Sequence, residues 1–333
     1  MFNNKSILIT GGTGSFGQKF VKTLISKYKT KKIIIFSRDE LKQFDMLNDL
    51  KEHEDKLRFF LGDVRDFDRV NFALKNVDYV VHAAALKQVP AAEYNPSEFI
   101  KTNVLGAENI YKASLQNNVK KVVALSTDKA ASPINLYGAS KLMSDKIFIS
   151  ANNFVGSGRT RFSVVRYGNV VNSRGSVLPF FRELIKNNSK FFPITDPDMT
   201  RFFITLQQGV DFVIDSFRRM HGAEIFVPKI PSIKITDLAS ALDPTKKHKI
   251  IGIRPGEKIH EVMCPKEDYL NTIEFDDHFI IRPSIKIIDQ KINFKINKLK
   301  EKGTSASKNF EYNSLNNSHY LSKSKIIKIC KEN

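Results

Sequence analysis

Short apolar runs alternate with stretches of helical spacing through the first half of the chain. The segments SILIT (6–10), KIIIF (32–36), LRFFL (57–61), DYVVHAA (78–84) and KVVALS (121–126) are dominated by apolar residues, many of them β-branched, and are bounded by turn formers. Such runs predict strands buried on both faces, as in a parallel sheet covered by helices. Between them, 16–28 and 97–117 carry apolar residues at helical spacing. The alternation predicts an α/β fold, a Rossmann-type doubly wound parallel sheet with ligands beyond the carboxyl ends of its strands. RFSVVRYG (161–168) reads as a sixth strand and EIFVP (224–228) as a late one.

After about residue 168 the regularity breaks. Proline and glycine punctuate GNVVNSRGSVLPFF, FFPITDPDMTRFF, FVPKIPSIKITDL and GIRPGEKIHE, which predicts a smaller lobe interleaved with returns to the first domain. The expected division is a dinucleotide-binding domain over 1–167, a substrate-binding lobe over 168–283 and a polar extension over 284–333. In that extension NFEYNS suggests a strand, and the closing lysine–isoleucine pattern a helix.

Composition narrows the class. With 333 residues, 41% apolar and 26% charged, the chain can bury a large core and is not disordered throughout. Its two cysteines, Cys264 and Cys330, lack paired spacing, so a reducing, cytoplasmic setting is expected, with no disulfide frame and no metal site. No apolar run approaches the ~20 residues of a membrane span, and SILIT is too short for a signal peptide's core; no membrane association is expected. The net charge of +18 comes from scattered lysines, densest over 291–308, without a basic helix interleaved with aromatics. A nucleic-acid partner is therefore not expected; a lysine-rich surface explains the charge first, and phosphate-bearing substrates second.

TGGTGSFG (10–17) follows the first strand and opens a helix, with Gly11, Gly14 and Gly17 at G-x-x-G-x-x-G spacing. Glycine allows the tight turn and the close approach of a pyrophosphate to the helix N-terminus. Ser15, Phe16 and Gln18 count with the glycines as cofactor contacts. A site for NAD usually ends the second strand in a carboxylate. Here Ser37 and Arg38 stand there and suit the 2′-phosphate of NADP; if Arg38 is merely solvated, Asp39 or Glu40 takes the acid role. Asp63 and Val64 are expected at the adenine, Ala83 at a close passage of the cofactor, and Lys87 reaching toward the site.

Tyr137 and Lys141 stand four apart, on one face of a helix if LYGASKLMSDKIF is helical. The ammonium of Lys141 and a positive nicotinamide would both favour a phenolate, letting Tyr137 act as a base far below its free value of roughly 10. Y-x-x-x-K alone is common by chance; its place after the fifth strand of a glycine-rich domain gives it weight. Thr127-Asp128-Lys129 just upstream adds an acid and an amine that hydride transfer does not need. They form either catalytic equipment or a loop ion pair with Asp128 capping a turn.

Together TGGTGSFG, STDK and YGASK resemble the extended short-chain dehydrogenase/reductase superfamily, in particular its nucleotide-sugar-modifying branch. FSRDELKQ, HAAALKQVPAAEYNP, NVVNSRGSVLPFF, DPDMTRFFIT, FVPKIPSIKITDLA and IRPGEKIHE narrow the resemblance to the soluble inverting UDP-N-acetylglucosamine 4,6-dehydratases that open pseudaminic acid biosynthesis. It covers residues 5–283 and resumes more faintly over 309–322. The resemblance implies oxidation at C4, with Tyr137 accepting the hydroxyl proton and NADP⁺ the hydride. Asp128 as acid and Lys129 as base then remove water across C5 and C6, and the hydride returns to C6. Related deoxythymidine diphosphate-glucose dehydratases have glutamate where Lys129 stands, and an amine base needs a pKa depressed by burial or neighbouring cations. Protonation of C5 from the opposite face would give the L-arabino 4-keto sugar, whose further use in flagellin glycosylation is one implied fate.

The same resemblance implies substrate contacts at Lys87, Asn169, Val170, Arg174, Gly175, Ser176, Val177, Thr195 and Arg201, a diphosphate contact at Arg254, and a homo-oligomer, commonly a hexamer. Three rivals have distinct requirements. An epimerase or simple reductase needs Tyr137 and Lys141 without the acid–base pair. A retaining 4,6-dehydratase is usually a membrane protein with methionine at the tyrosine position. A silent dinucleotide-binding regulator or RNA-binding protein has no need of the catalytic set.

Overall fold

To residue 167 the chain of the computed structural model alternates strand and helix. The order is β1 (Ser6–Thr10), α1 (Ser15–Lys27), β2 (Lys32–Ser37), α2 (Glu40–Asp49), β3 (Leu57–Leu61), α3 (Phe67–Ala73) and β4 (Tyr79–His82). Next come α4 (Val89–Tyr94), α5 (Pro96–Phe99), α6 (Gly106–Gln116), β5 (Lys121–Thr127), α7 (Leu136–Ser150) and β6 (Arg161–Tyr167). The structure describes residues 1–156, 158–173, 175–285 and 292–332. The predicted strands form because β1, β2 and β4 are buried almost throughout. Each Val or Ile so buried contributes about 1.5–3 kcal/mol, and helices on both faces supply the cover.

Beyond residue 167 the elements are shorter: β7 (Asn169–Val170), α8 (Val177–Lys186), β8 (Phe191–Ile194), β9 (Thr200–Ile204), α9 (Leu206–Arg219), β10 (Ile225–Pro228), β11 (Ser232–Lys234) and α10 (Ile235–Leu242). The chain then runs through β12 (Lys247–Ile250), β13 (Val262–Cys264), β14 (Thr272–Glu274), β15 (His278–Ile281), β16 (Thr304–Ser305), β17 (Tyr312–Asn313) and α11 (Lys323–Glu332). Among the described residues ten strands form one sheet, in the order β16-β14-β15-β10-β6-β5-β4-β1-β2-β3. From β10 to β3 all neighbours run parallel, while β15, β14 and β16 add an antiparallel edge. The strand order reverses between β1 and β4, where a doubly wound sheet opens its ligand crevice.

Two departures from the sequence pattern matter. The helical stretch 97–117 is broken by a π-helical turn, Ile100–Leu105, between α5 and α6. That turn carries buried Asn103, whose Nδ2 donates to Leu86 O and Ser140 Oγ at 2.9 Å each while Oδ1 accepts from Leu86 N. One side chain thus ties the loop after β4 to α7. The polar extension is woven in: β16 pairs with β14, β17 pairs with β13, and α11 packs on α10. Both cysteines are buried and unbridged. Among the described residues no helix is long and apolar enough to cross a membrane, and no group of three or more His, Cys, Asp or Glu could hold a metal.

Candidate active site

A cleft of about 1490 Å³ opens at the carboxyl ends of the parallel strands and runs from Gly11 to Arg254. At its first end Gly11 turns with φ +64°, and a Cβ there would lie 3.0 Å from the Ala84 backbone. A Cβ on Gly17 would overlap the Gly12 carbonyl, so α1 can approach β1 only without one. No side chain caps α1, which leaves its first N–H groups facing the cleft. Thr10 Oγ1 accepts from Ala83 N and Ala84 N at 3.1 Å and sits 2.8 Å from His82 Nδ1, fixing the end of β4 beside the glycines. Ser15, Phe16, Val64 and Ala83 line the cleft. Gln18 is not among the lining residues; its amide donates instead to Thr13 O at 3.1 Å.

At the end of β2, buried Ser37 receives the Gln43 amide at 3.0 Å, and exposed Arg38 stands 3.6 Å from Asp63. Asp39 caps α2 by accepting from Lys42 N and pairs with the Lys42 ammonium. Its carboxylate therefore has a structural task, and Glu40 is not among the residues lining the cleft. Burial would raise the Asp63 carboxyl, but the hydrogen bonds and charge of Arg65 outweigh it and hold the group below its usual range.

The catalytic stretch folds as strand, turn and helix. Thr127 ends β5, Asp128–Ala130 makes a 3-10 turn, and Asn135 caps α7 by accepting from Gly138 N at 2.7 Å. A Cβ on Gly138 would overlap the Lys129 carbonyl oxygen, so this glycine lets α7 press on the turn. Thr127 Oγ1 donates to Asp128 Oδ1 at 2.8 Å. Lys129 Nζ lies between two carboxylates, 3.2 Å from Asp128 Oδ1 and 3.0 Å from Glu261 Oε1. Asp128 and Glu261 are almost fully buried. Burial and the nearby Glu261 anion raise the Asp128 carboxyl against the pull of Lys129.

Lys129 departs from expectation. Burial alone would depress its ammonium, but the carboxylates of Asp128 and Glu261 prevail and hold it above the usual lysine range. The amine base implied by the resemblance therefore starts as a cation, because its close partners are anions. Tyr137 and Lys141 are both buried in the cleft wall. Tyr137 also departs from the depressed phenol expected of its spacing to Lys141: burial pushes it up to about 12, against Lys129 and a hydrogen bond with Thr127. Burial lowers the Lys141 ammonium, opposed by Asp145. Asp145 in turn accepts from Ser126 Oγ at 2.9 Å and Arg166 Nη2 at 3.1 Å, a buried network behind the helix.

The far end of the cleft is lined by Lys87, Asn169, Val170, Gly175, Ser176, Val177, Thr195, Arg201 and Arg254. Arg174 lies outside the described residues. Asn169 Oδ1 and Ser176 Oγ are buried without a hydrogen-bond partner among the described residues. Exposed Arg254 stands 3.8 Å from Glu257. Arg201 has a different setting from a free ligand: its guanidinium donates to Thr200 O, Ile259 O and Lys258 O at 2.7–2.9 Å and lies 3.7 Å from Glu261. It holds the segment before β13 against β9. Glu261, which closes the IRPGEKIHE motif, carries no spacing that marks it in the sequence; its one signal is a carboxylate at the end of that motif.

The chain matches the model of a family described as polysaccharide biosynthesis protein over residues 7–283. It is 57% identical to a UDP-N-acetylglucosamine 4,6-dehydratase (inverting) of Campylobacter jejuni subsp. jejuni serotype O:23/36, over 99% of this chain and 98% of that one. A UDP-glucose 4-epimerase of Rickettsia bellii is 46% identical over 84% of each chain. Among solved structures, Pen from Bacillus thuringiensis aligns with TM-score 0.88 and 36% identity over 100% of this chain and 98% of that one. The dTDP-glucose 4,6-dehydratase DesIV from Streptomyces venezuelae, with NAD and TYD bound, shares the fold at TM-score 0.68 and 21% identity, over 76% of this chain and 86% of that one.

Proposed function

Because the chain belongs to the polysaccharide biosynthesis protein family and is built as an extended short-chain dehydrogenase/reductase, we propose that it is an inverting UDP-N-acetylglucosamine 4,6-dehydratase, a hydro-lyase. The observation that carries this reading is the pairing of half-buried Lys129 with buried Asp128 beside Tyr137 in one cleft. The epimerase reading, which the name of the Rickettsia relative offers, leaves that pair without a task. Residues 1–167 serve as the dinucleotide domain and 168–283 as the substrate lobe. The product fits deoxyamino-sugar synthesis such as that of pseudaminic acid, and a homo-oligomer, by resemblance a hexamer, is expected.

A nicotinamide dinucleotide suits the first end of the cleft. Gly11 turns at positive φ, Gly17 leaves no room for a Cβ against Gly12, and the uncapped first turn of α1 offers N–H groups to a pyrophosphate. Arg38 at the end of β2 favours NADP, since a guanidinium matches a 2′-phosphate. When bound, the nicotinamide would supply an acceptor for the C4 hydride and a donor of that hydride to C6. Tyr137 in its phenolate form, which a positive nicotinamide would favour, takes the proton of the C4 hydroxyl, with buried Lys141 one helical turn away. Asp128, whose carboxyl burial raises against the pull of Lys129, gives its proton to the C6 hydroxyl, which then leaves as water. Lys129 removes the C5 proton that the C4 ketone has acidified. Reprotonation from the opposite face gives UDP-2-acetamido-2,6-dideoxy-β-L-arabino-hexos-4-ulose. Product analysis by NMR after turnover of UDP-N-acetylglucosamine in deuterated water tests the whole reading. A 6-deoxy-4-keto sugar with deuterium at an inverted C5 is expected; a 4-epimer retaining its C6 hydroxyl would overturn it.

A further inference from the structure

A lysine can act as a base only after losing a proton, and the site must hold that proton somewhere. Lys129 Nζ has two carboxylates within reach, Asp128 at 3.2 Å and Glu261 at 3.0 Å. Asp128 must meet the C6 hydroxyl already protonated, so it cannot also be the acceptor. Glu261 has the capacity: its Oε2 is buried and makes no hydrogen bond among the described residues. It is also fixed in place. Glu261 N donates to Ser314 Oγ at 2.9 Å, and Ser314 N donates back to Glu261 O at 2.8 Å. The Ser314 hydroxyl lies 2.7 Å from Thr200 Oγ1 on β9, and Arg201 clamps the carbonyls of Lys258 and Ile259.

Resting on the dehydratase reading, we propose that Glu261 accepts the proton of Lys129, so that the two side chains act together as the base at C5 while Asp128 remains the acid. The proton passes from the Lys129 ammonium to the Glu261 carboxylate, leaving an amine and a carboxylic acid. The amine takes the C5 proton and becomes an ammonium again. The electron pair left at C5 forms the C5–C6 double bond and expels the C6 oxygen as water with the Asp128 proton. Lys129 then hands its proton to Asp128 and recovers the one on Glu261, which restores the starting state. The proton that returns to C5 is matched by the one Tyr137 took from the C4 hydroxyl, so the count closes.

The charged and titratable groups around this pair come from every neighbouring element: Asp128 on the same turn, Tyr137 on α7, Arg201 on β9, Lys258 before β13 and Lys87 after β4. Burial would raise Glu261, but Lys129 and Arg201 outweigh it and keep it ionised. With water in the cleft the ion pair is the resting form. Glu261 is already buried, so substrate that displaces this water removes solvation from the Lys129 ammonium and favours the neutral pair.

Glu261→Gln keeps the shape and a hydrogen-bond acceptor but cannot accept the proton. In full-length protein with NADP and UDP-N-acetylglucosamine, kcat is expected to fall about 100-fold or more with KM changed only a few-fold. Deuterium entry at C5 should fall equally, while C4 oxidation persists as reduced-nicotinamide absorbance in a single turnover. The residual rate should rise with pH, since Lys129 must then lose its proton to solvent, whereas the wild-type rate stays level through neutrality. If Glu261→Gln fails to fold, Glu261→Asp decides: it should retain the level profile at lower kcat, and a profile rising with pH would overturn the proposal. Wild-type kcat and C5 exchange in a folded Glu261→Gln protein would also overturn it, leaving the dehydratase reading intact. Failure of the wild type itself to dehydrate UDP-N-acetylglucosamine would instead overturn that reading.

Discussion

Arg38 shows how far a single position reaches. A guanidinium at the end of β2 marks a 2′-phosphate by charge alone, and that much is legible in the letters IIIFSRDE. What the letters do not carry is that Asp39, the competing carboxylate, is engaged in capping α2. Arg38 also has a loose carboxylate neighbour, Asp63, at 3.6 Å, while Asp63 is bound more closely by Arg65. An arriving phosphate therefore has little to displace. Arg38→Ala should weaken NADP binding about 10-fold or more while changing NAD affinity less than about 3-fold, because a charge-assisted bond to the 2′-phosphate is worth about 1.5–3 kcal/mol. Titration of both dinucleotides by fluorescence checks this, and equal losses for the two would exclude a 2′-phosphate role. Lys129 marks the limit of sequence reading at this scale. Its residue type proposed a base, but its ammonium is held up by Asp128 beside it and by Glu261, which lies 132 positions away in sequence and 3.0 Å away in space.

At the scale of elements, periodicity located the parallel strands well, because buried β-branched runs have few other places to go. It failed where short polar pieces are recruited by neighbours. The two-residue β16 pairs with β14 at an edge already formed, and the π-helical turn at Ile100–Leu105 carries Asn103, which bonds across to Leu86 and Ser140. The contact of α7 with the Asp128–Ala130 turn belongs to the same class. YGASK reads as a helix start, yet Gly138 also matters for what presses on it, the Lys129 carbonyl. Gly138→Ala should therefore push the turn and α7 apart and misplace Lys129 against Tyr137. The expected result is a fall in kcat of about 100-fold, the scale of a 1 Å misplacement, with dinucleotide affinity nearly unchanged because the glycine loop is remote from this contact. A wild-type kcat in Gly138→Ala, measured beside its NADP affinity, would show that the close approach has no catalytic consequence.

Across the whole molecule the extension joins the sheet edge opposite the β1–β3 half, so stability and cofactor binding are separable. Its anchor is a charged cluster. Arg219 donates to Glu301 at 2.8 and 3.2 Å and to Asp277 at 2.9 Å, and Asp277 meets buried His278 at 2.6 Å. The His278 hydrogen bond, then Arg219, holds the Asp277 carboxyl far below its usual range. For Glu301 burial acts upward, and the Arg219 and Asn297 hydrogen bonds overcome it, leaving the carboxyl lowered. A carboxyl whose folded pKa lies below its unfolded value stabilises fully above the unfolded value, about 4, and loses that contribution as pH falls through the folded one. Glu301→Gln should therefore melt about 1–3 °C below the wild type at pH 7, a modest gap because Glu301 is partly exposed and screened. The gap should begin to shrink as pH falls below about 4 and close as pH passes the lowered folded value, where Glu301 in the folded wild type also becomes neutral. Since the cluster lies at the far edge of the sheet from Gly11, NADP affinity at pH 7 should not follow the melting temperature. A gap that stayed constant down to pH 2 would mean that Glu301 acts through shape rather than charge.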